Sequence, residues 1–196
     1  MPDKQMKTRD DQAVLYPAHR QFLCLIVLLL TLLLPSPYAM ASDKAESTGS
    51  VLRTLIPAVA YGTTFYLHDS DGRKQFYKGF FTNLAVTYTL KKTISKTRPN
   101  GKDDESFPSG HSSVAFQGAA FIHKRYGLKY AVPAYLGASY VAWSRVESDN
   151  HFTVDVVAGA AIGIASSFIF TKPYKGFVVT PVAGNGFYGI GISKQW

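Results

Sequence analysis

Three short clusters of residues carry groups that could act together on a phosphorylated molecule. The first is Lys91, followed seven residues later by Arg98-Pro99. We expect one helix to carry both cations, so that they project from the same helical stripe. Two such cations can bind one phosphate, because an arginine offers a planar fork of donors beside the point charge of a lysine. A solvated basic helix face is the simpler explanation of this cluster taken alone.

The second cluster is Pro108-Ser109-Gly110-His111, which leads directly into an apolar run typical of a helix. Unpaired backbone N–H groups at a helix start can bind an anion, and Gly110 lets the backbone approach it closely. His111 would then lie beside the anion, where a protonated imidazole could donate a proton. An ordinary serine-capped helix start is the alternative explanation.

The third cluster contains Arg145, His151 and Asp155. His151 and Asp155 are four residues apart, which is one helical turn, so the sequence predicts that they share a face. A carboxylate beside an imidazole fixes the tautomer and supports positive charge on the ring, as a nucleophilic histidine requires. A buried structural histidine–aspartate pair is the alternative.

The joint pattern is K-x6-RP, PSGH and SR-x5-H-x3-D, which spans Lys91 to Asp155. It resembles the three-part signature of the type 2 phosphatidic acid phosphatase family. That family includes bacterial class A acid phosphatases and shares its core with vanadium-dependent haloperoxidases. The resemblance covers about residues 50–171, and chance assembly of so many fixed positions is far less probable than a chance match to one short motif.

The resemblance implies a metal-independent hydrolase that forms a phosphohistidine intermediate. It implies that His151 is the nucleophile, that Asp155 orients it and that His111 protonates the leaving oxygen. The implied phosphate-binding residues are Lys91, Arg98, Ser109, Gly110 and Arg145. No metal or other cofactor is implied.

The substrate class stays open between soluble phosphomonoesters and lipid phosphates. Two other functions also remain: a vanadium-dependent haloperoxidase, although those enzymes are usually much larger, and a non-catalytic phosphate-binding periplasmic protein. The formal net charge of +8 fits nucleic acid, an anionic membrane or a phosphorylated substrate. With this site we predict a phosphorylated ligand and no nucleic-acid partner.

The elements that position these residues are predicted to form an all-α bundle of about five to six helices. The predicted helices cover about residues 51–67, 74–97, 109–127, 129–143 and 152–170. Small residues between Ala158 and Ala165 suit close helix packing, so we favour a soluble bundle that could contact a membrane peripherally. Residues 172–196 form a separate tail, for which Ala183-Gly184-Asn185-Gly186 predicts a hairpin turn.

The N-terminal region is typical of a secretory signal. The apolar run Phe22–Leu34 follows several basic residues and precedes Ala39-Met40-Ala41. We therefore predict a signal peptide over residues 1–41, a linker over 42–50, the phosphatase domain over 51–171 and a periplasmic, membrane-associated location. An uncleaved anchor is the alternative. Cleavage after Ala41 would remove Cys24, which is the single cysteine of the chain.

Overall fold

The computed structural model describes residues 42–174, 177–184 and 187–194. These ranges contain helices α1 (Ser42–Tyr66), α2 (Ser70–Thr93), α3 (Gly110–Tyr126), α4 (Leu128–Glu147) and α5 (Thr153–Phe170). Strands β1 (Phe177–Gly184) and β2 (Phe187–Lys194) pair antiparallel. The all-α bundle is therefore confirmed. The predicted signal peptide and the centre of the predicted turn, Asn185-Gly186, lie outside the described residues.

Helix α3 forms the centre of the bundle, because it packs against each of the other four helices described. Its buried side chains are mostly small, with Ala115, Ala119 and Ala120 fully buried beside the larger Phe121. Small side chains let neighbouring helices approach α3 from several directions, and Phe121 fills the remaining space between them.

Helix α5 approaches α3 most closely through two glycines. A Cβ atom at Gly159 would lie 2.3 Å from the carbonyl oxygen of Ser109, and one at Gly163 would lie 2.2 Å from that of Ser113. No side chain fits at either position without moving the backbone. This packing brings together the starts of α3 and α5, where the Ser109 N–H donates to the carbonyl of Asp155 over 2.9 Å.

Residues 42–50 are helical, which corrects the predicted linker. Ala45 and Gly49 are buried, and a Cβ atom at Gly49 would collide with the Ser144 hydroxyl of α4. The guanidinium of Arg145 also donates to the carbonyl of Glu46. These contacts with α4 stabilise the first turns of α1 despite their polar composition, because tertiary packing provides most of the stability of a helix in a protein.

Helix α2 ends at Thr93, earlier than predicted, and this corrects the single stripe expected for Lys91 and Arg98. Ile94 has an extended backbone with φ −112° and ψ 92°. The chain that follows pairs with the acidic loop instead of continuing the helix: the Lys96 N–H donates to the carbonyl of Asp104 over 3.0 Å. Lys91 is thus helical, whereas Arg98 lies on an extended segment.

Large apolar side chains are exposed on four of the five described helices, namely α1, α2, α4 and α5. Examples are Phe65 on α1, Phe81 and Tyr88 on α2, Leu128 and Leu136 on α4, and Val157 and Ile169 on α5.

 The central helix α3 carries no exposed large apolar side chain, because the four surrounding helices cover it. Within the described residues, one helix, Thr153–Phe170, is long and apolar enough to cross a membrane.

Candidate active site

A cavity of about 700 Å³ lies between α1, α2 and the start of α3. One part of its wall carries cations and imidazoles, namely Arg53, Lys91, Arg98, His111 and His151, together with the backbone of Gly110. The other part is apolar and largely aromatic, with Pro57, Tyr61, Phe76, Tyr77, Phe80, Phe81, Leu84 and Val114. No acidic side chain is among the described residues that line the cavity. The cavity therefore suits a ligand with an anionic end and an apolar body.

The imidazole of His151 is buried and faces this cavity with one nitrogen. Its Nδ1 lies 2.7 Å from the carbonyl oxygen of Ser106. Because a carbonyl only accepts, Nδ1 carries the hydrogen and Nε2 keeps its lone pair. Nε2 lies 3.2 Å from Nη1 of Arg98, on the cavity side. This is the tautomer that a nucleophilic Nε2 requires.

Asp155 makes no hydrogen bond to His151, and the two residues do not share the helix face that the sequence predicted for them. Its Oδ2 lies 3.9 Å from Nδ1 of His151, because α5 begins only at Thr153 and His151 precedes the helix. The fully buried carboxylate accepts instead from Lys96 Nζ at 2.6 Å, from Ser106 Oγ at 2.5 Å and from the Phe152 N–H at 3.0 Å. Ser106 thus lies between Asp155 and the imidazole.

His111 lies beside a cation that the sequence analysis did not select. Nε2 of His111 is 3.2 Å from Nη1 of Arg53. Burial, followed by the charges of Arg53 and Arg145, lowers the pKa of His111 to about 3. Burial and the charges of Arg98 and Lys91 also lower the pKa of His151, to about 4. Both imidazoles are therefore neutral in the free site at pH 7.

The three predicted phosphate-binding cations occupy different positions. Lys91 lines the cavity and donates to the carbonyl of Glu105 over 2.5 Å, and burial lowers its pKa. Arg98 also lines the cavity, where Asp103 holds its Nε at 2.6 Å. Arg145 is buried behind the cavity wall, and its guanidinium contacts Glu46 of α1.

Ser109 and Gly110 start α3 in different roles. Ser109 is the fully buried N-cap of the helix, and its hydroxyl accepts from the Ser112 N–H over 3.4 Å. This is the capping geometry that the sequence left open as an alternative. Gly110 lines the cavity, so its backbone is available to a bound anion. Of the eight predicted site residues, Ser109, Arg145 and Asp155 do not line the cavity.

Sequence reasoning missed three residues of this site: Arg53, Lys96 and Ser106. Arg53 lies 38 residues before Lys91 in the chain, so no local spacing connects it to the clusters. The sequence feature that could have identified Arg53 is that this single cation interrupts an otherwise apolar predicted helix. Ser106 directly precedes the second cluster, and Lys96 lies inside the first, but neither shows from the sequence that it faces Asp155.

The described residues contain no group of three histidine, cysteine, aspartate or glutamate side chains that could hold a metal ion. Within this part of the chain, the charges that face the cavity come from arginine and lysine. In the acidic run Asp103-Asp104-Glu105, Asp103 pairs with Arg98 and Glu105 pairs with Lys92.

The family model for the PAP2 superfamily matches residues 74–176, a range that holds all three clusters. The chain belongs to this superfamily. The match confirms the resemblance to type 2 phosphatidic acid phosphatases. Within the family, the chain is 30% identical over 169 residues to a lipid A 4'-phosphatase of Helicobacter pylori, covering 77% of this chain and 85% of that protein.

Two further comparisons extend this family assignment. A phosphatidylglycerophosphatase B of Bacillus subtilis is 29% identical over 144 residues, which cover 65% of this chain and 68% of that protein. The crystal structure of a transmembrane PAP2-type phosphatidylglycerolphosphate phosphatase of Bacillus subtilis superposes with a TM-score of 0.54 at 25% identity. That superposition covers 81% of this chain and 87% of the other, so the bundle is the fold of the family.

Proposed function

We propose that this chain is a metal-independent phosphatase that hydrolyses lipid phosphates through a phosphohistidine intermediate. The observation that carries the proposal is the division of the cavity wall. Its cationic part, with His111 and His151, suits a phosphate group, while the aromatic part suits the apolar body of the same molecule. A water-soluble phosphomonoester would leave the aromatic wall without a partner, and burial of apolar surface favours a lipid.

The family relatives and the protein surface support the same substrate class. Two relatives are named for lipid phosphates, namely lipid A and phosphatidylglycerophosphate. Exposed side chains such as Phe81, Tyr88 and Val157 give the bundle an apolar exterior, which supports membrane association. We also retain export to the periplasm, predicted from residues 1–41, as part of the proposal.

In the first proposed step, the Nε2 lone pair of His151 attacks phosphorus. The phosphorus–nitrogen bond forms as the bond to the leaving oxygen breaks, and His111 gives its proton to that oxygen. Lys91 and Arg98 neutralise the phosphoryl oxygens, and the Gly110 backbone supports them. Arg145 and Ser109 do not line the cavity and support its wall from behind, Arg145 with its charge and Ser109 as the N-cap of α3. Fixed cations that match the developing charge provide most of the catalysis in phosphoryl transfer.

In the second step, water attacks the phosphohistidine. His111 takes a proton from this water, the phosphorus–nitrogen bond breaks and inorganic phosphate leaves, so that both histidines return to their starting state. His111 must carry a proton for the first step, although burial and nearby cations keep it neutral in the free site. A bound phosphate dianion supplies the opposite charge and raises the pKa of His111 again.

A phosphate-release panel tests the proposed function. It contains phosphatidic acid and phosphatidylglycerophosphate in mixed micelles, a short-chain phosphatidic acid, and a water-soluble phosphomonoester, each with and without EDTA. We expect the long-chain lipids to react with the highest kcat/KM and EDTA to have no effect. Highest activity on the soluble ester would contradict the lipid assignment, and activity that returns only with added divalent metal would contradict the proposed chemistry.

A matched pair of phenylalanine variants connects this panel to the cavity. Phe81 lines the cavity and is 60% exposed, whereas Phe168 on α5 lies outside it. We expect Phe81→Ala to lower kcat/KM for long-chain lipids about fivefold, the value of roughly 1 kcal/mol of lost apolar contact, with little effect on the short-chain substrate. Phe168→Ala should change neither. Equal losses on both chain lengths would show that the aromatic wall does not bind the lipid body.

A further inference from the structure

A continuous chain of hydrogen bonds runs behind His151, on the side away from the cavity. Lys96 Nζ donates to Oδ1 of Asp155 over 2.6 Å, and Ser106 Oγ donates to its Oδ2 over 2.5 Å. The carbonyl of the same Ser106 accepts from Nδ1 of His151 over 2.7 Å. We propose that Lys96 and Ser106 are positioning residues that hold His151 in its nucleophilic orientation, acting through Asp155; this inference rests on the proposed function.

Lys96 cannot act by binding the phosphoryl group, because it does not line the cavity. Its ammonium lies 4.5 Å from the ring centroid of Phe152 and 5.9 Å from that of Phe107. The side chain is 31% exposed, while that of Asp155 is fully buried. Lys96 thus approaches Asp155 from the outside, over two aromatic rings, and Lys91 is the lysine that reaches the cavity.

Asp155 needs this lysine, because a buried carboxylate without a cation is costly. Among the described residues, Lys96 is the only lysine or arginine within ion-pair distance of Asp155. Without it, the carboxylate would either take up a proton or move toward Nδ1 of His151, which lies 3.9 Å away and does not yet bind it. Either change alters the environment that fixes the imidazole.

Ser106 connects Asp155 to the imidazole of His151, so the position of the carboxylate affects the position of the ring. Its hydroxyl donates to the carboxylate, and its carbonyl accepts from His151. Its own N–H donates to the carbonyl of Lys96 over 2.9 Å, which closes a ring through Asp155. Ser106 is fully buried, so these bonds do not compete with solvent. A shift of this residue moves the acceptor that sets the tautomer of His151.

Steady-state kinetics separate positioning from substrate binding. We expect Lys96→Met to lower kcat about 10- to 100-fold, the usual cost of a misplaced reacting group, with KM unchanged. Lys96→Arg should recover most of the activity, because it keeps the cation. Lys92→Met is the matched control: Lys92 pairs with Glu105 on the surface and should behave as wild type. A rise in KM with unchanged kcat in Lys96→Met would overturn the proposal.

A double-mutant cycle tests whether Lys96 acts through Asp155. The cycle combines Lys96→Met with Asp155→Asn, which also removes the uncompensated charge that could unfold the single variant. If Lys96 acts through the carboxylate, Lys96→Met should lower kcat no further in the Asp155→Asn background. Losses that multiply in the double variant would mean that Lys96 acts independently of Asp155 and would overturn the proposal.

Nitrogen-15 NMR of the imidazole of His151 gives a readout without substrate. In wild type we expect one tautomer, with the hydrogen on Nδ1, and in Ser106→Ala or Lys96→Met a mixture of tautomers. Retention of a single tautomer in both variants would overturn the positioning role, even if phosphatase activity is found. Loss of the tautomer in a protein that hydrolyses none of the phosphates tested would support positioning while rejecting the proposed function.

Discussion

Two buried carboxylates, Asp69 and Asp155, have similar partners but lie in different parts of the molecule. Each accepts from a backbone N–H at a helix start: Asp69 from Gly72 over 2.9 Å and Asp155 from Phe152 over 3.0 Å. Each also has one cation and one hydroxyl, which are Arg125 and Tyr126 for Asp69 and Lys96 and Ser106 for Asp155. Both satisfy the requirement that a buried charge be paired and hydrogen-bonded.

The two centres differ in what their hydrogen bonds reach next. Arg125 binds Asp69 with two nitrogens and donates through its third to the carbonyls of Lys172 and Pro173. These bonds join the α1–α2 turn, the end of α3 and the segment after α5. At Asp155 the bonds continue through Ser106 to an imidazole that faces the cavity. The Asp69 centre joins separate backbone segments, whereas the Asp155 centre joins the start of α5 to the reactive side chain of His151.

This difference shows that burial and charge pairing alone do not identify a functional carboxylate. None of the described residues that bind the Asp69 carboxylate lines the cavity, so we expect that centre to contribute only to stability. Around Asp155, the single lysine is partly exposed and binds through one nitrogen. The position of the carboxylate therefore also depends on Ser106. Variants at the two centres should therefore separate effects on activity from effects on stability.

The largest effect is expected at the nucleophile that the second centre supports. His151→Ala should lower kcat by at least about 10⁴-fold, since loss of a nucleophile removes the covalent route. Rapid-quench labelling with radioactive phosphate should give an acid-labile, base-stable adduct in wild type and none in this variant. Labelling that persists in His151→Ala would place the nucleophile on another residue. The free energy of unfolding of His151→Ala should stay close to that of wild type, whereas variants at Asp69 should be less stable.

The next largest effect is a loss of stability at the first centre. Asp69→Ala leaves Arg125 buried without its carboxylate, which typically costs about 3–5 kcal/mol in the free energy of unfolding. Urea unfolding measures this loss, and kcat/KM of the folded fraction should not change. Asp71→Ala is the matched control on the same helix turn, because Asp71 is 61% exposed and its one ion pair among the described residues is with Lys74. A selective loss of kcat/KM in Asp69→Ala would remove the contrast between the centres.

The sequence indicated which residues gather at the candidate site, but not how they contact one another. Lys91, Gly110 and His111, which were selected from spacing, line the cavity, because they lie on helices whose limits have local signals. Gly127, predicted to end α3, does so with φ +108°. Such features depend on nearby residues, so a single sequence contains them.

The remaining features depend on long-range contacts that no local pattern encodes. The early end of α2 results from pairing between the Lys96 and Asp104 backbones, and the helical 42–50 segment results from packing on α4. The position of Ser106 between Asp155 and His151 requires the start of α5 to pack on the start of α3. Arg53 reaches His111 from a helix some 58 positions earlier in the chain, which explains why spacing did not predict it.

A smaller effect is expected from pH, and it distinguishes the cavity from the Asp69 centre. The pKa of His111 is lowered in the folded protein, so the unfolded chain binds more protons below about pH 6.5. Stability should therefore fall as pH decreases from 6.5 toward 4, by on the order of 1 kcal/mol per pH unit for this histidine. The pKa of Asp69 is lowered as well, but its contribution is lost only near and below pH 4.

Urea unfolding at several pH values measures this slope in wild type and in His111→Asn. We expect the variant to have a shallower slope between pH 6.5 and 4.5, because it lacks the group that must remain neutral. Inorganic phosphate or vanadate should stabilise wild type in this range, since a bound anion offsets the surrounding cations. Equal slopes in the two proteins would show that His111 titrates normally in the folded state.

The smallest effect is expected at Arg53, the cation of the cavity wall that contacts His111. Arg53 contacts His111 and lines the cavity, but no carboxylate of the described residues lies within ion-pair distance of it. We expect Arg53→Gln to raise KM about tenfold, which corresponds to the loss of one charge-assisted hydrogen bond of about 1.4 kcal/mol. Arg53→Lys should lose less affinity for the substrate, because it keeps the charge.

A different result would change the role of Arg53. If Arg53→Gln instead lowers kcat with KM unchanged, as Lys96→Met is expected to do, then Arg53 acts on His111 and not on the substrate. Both histidines would then depend on positioning residues, and substrate binding would rest on Lys91 and Arg98.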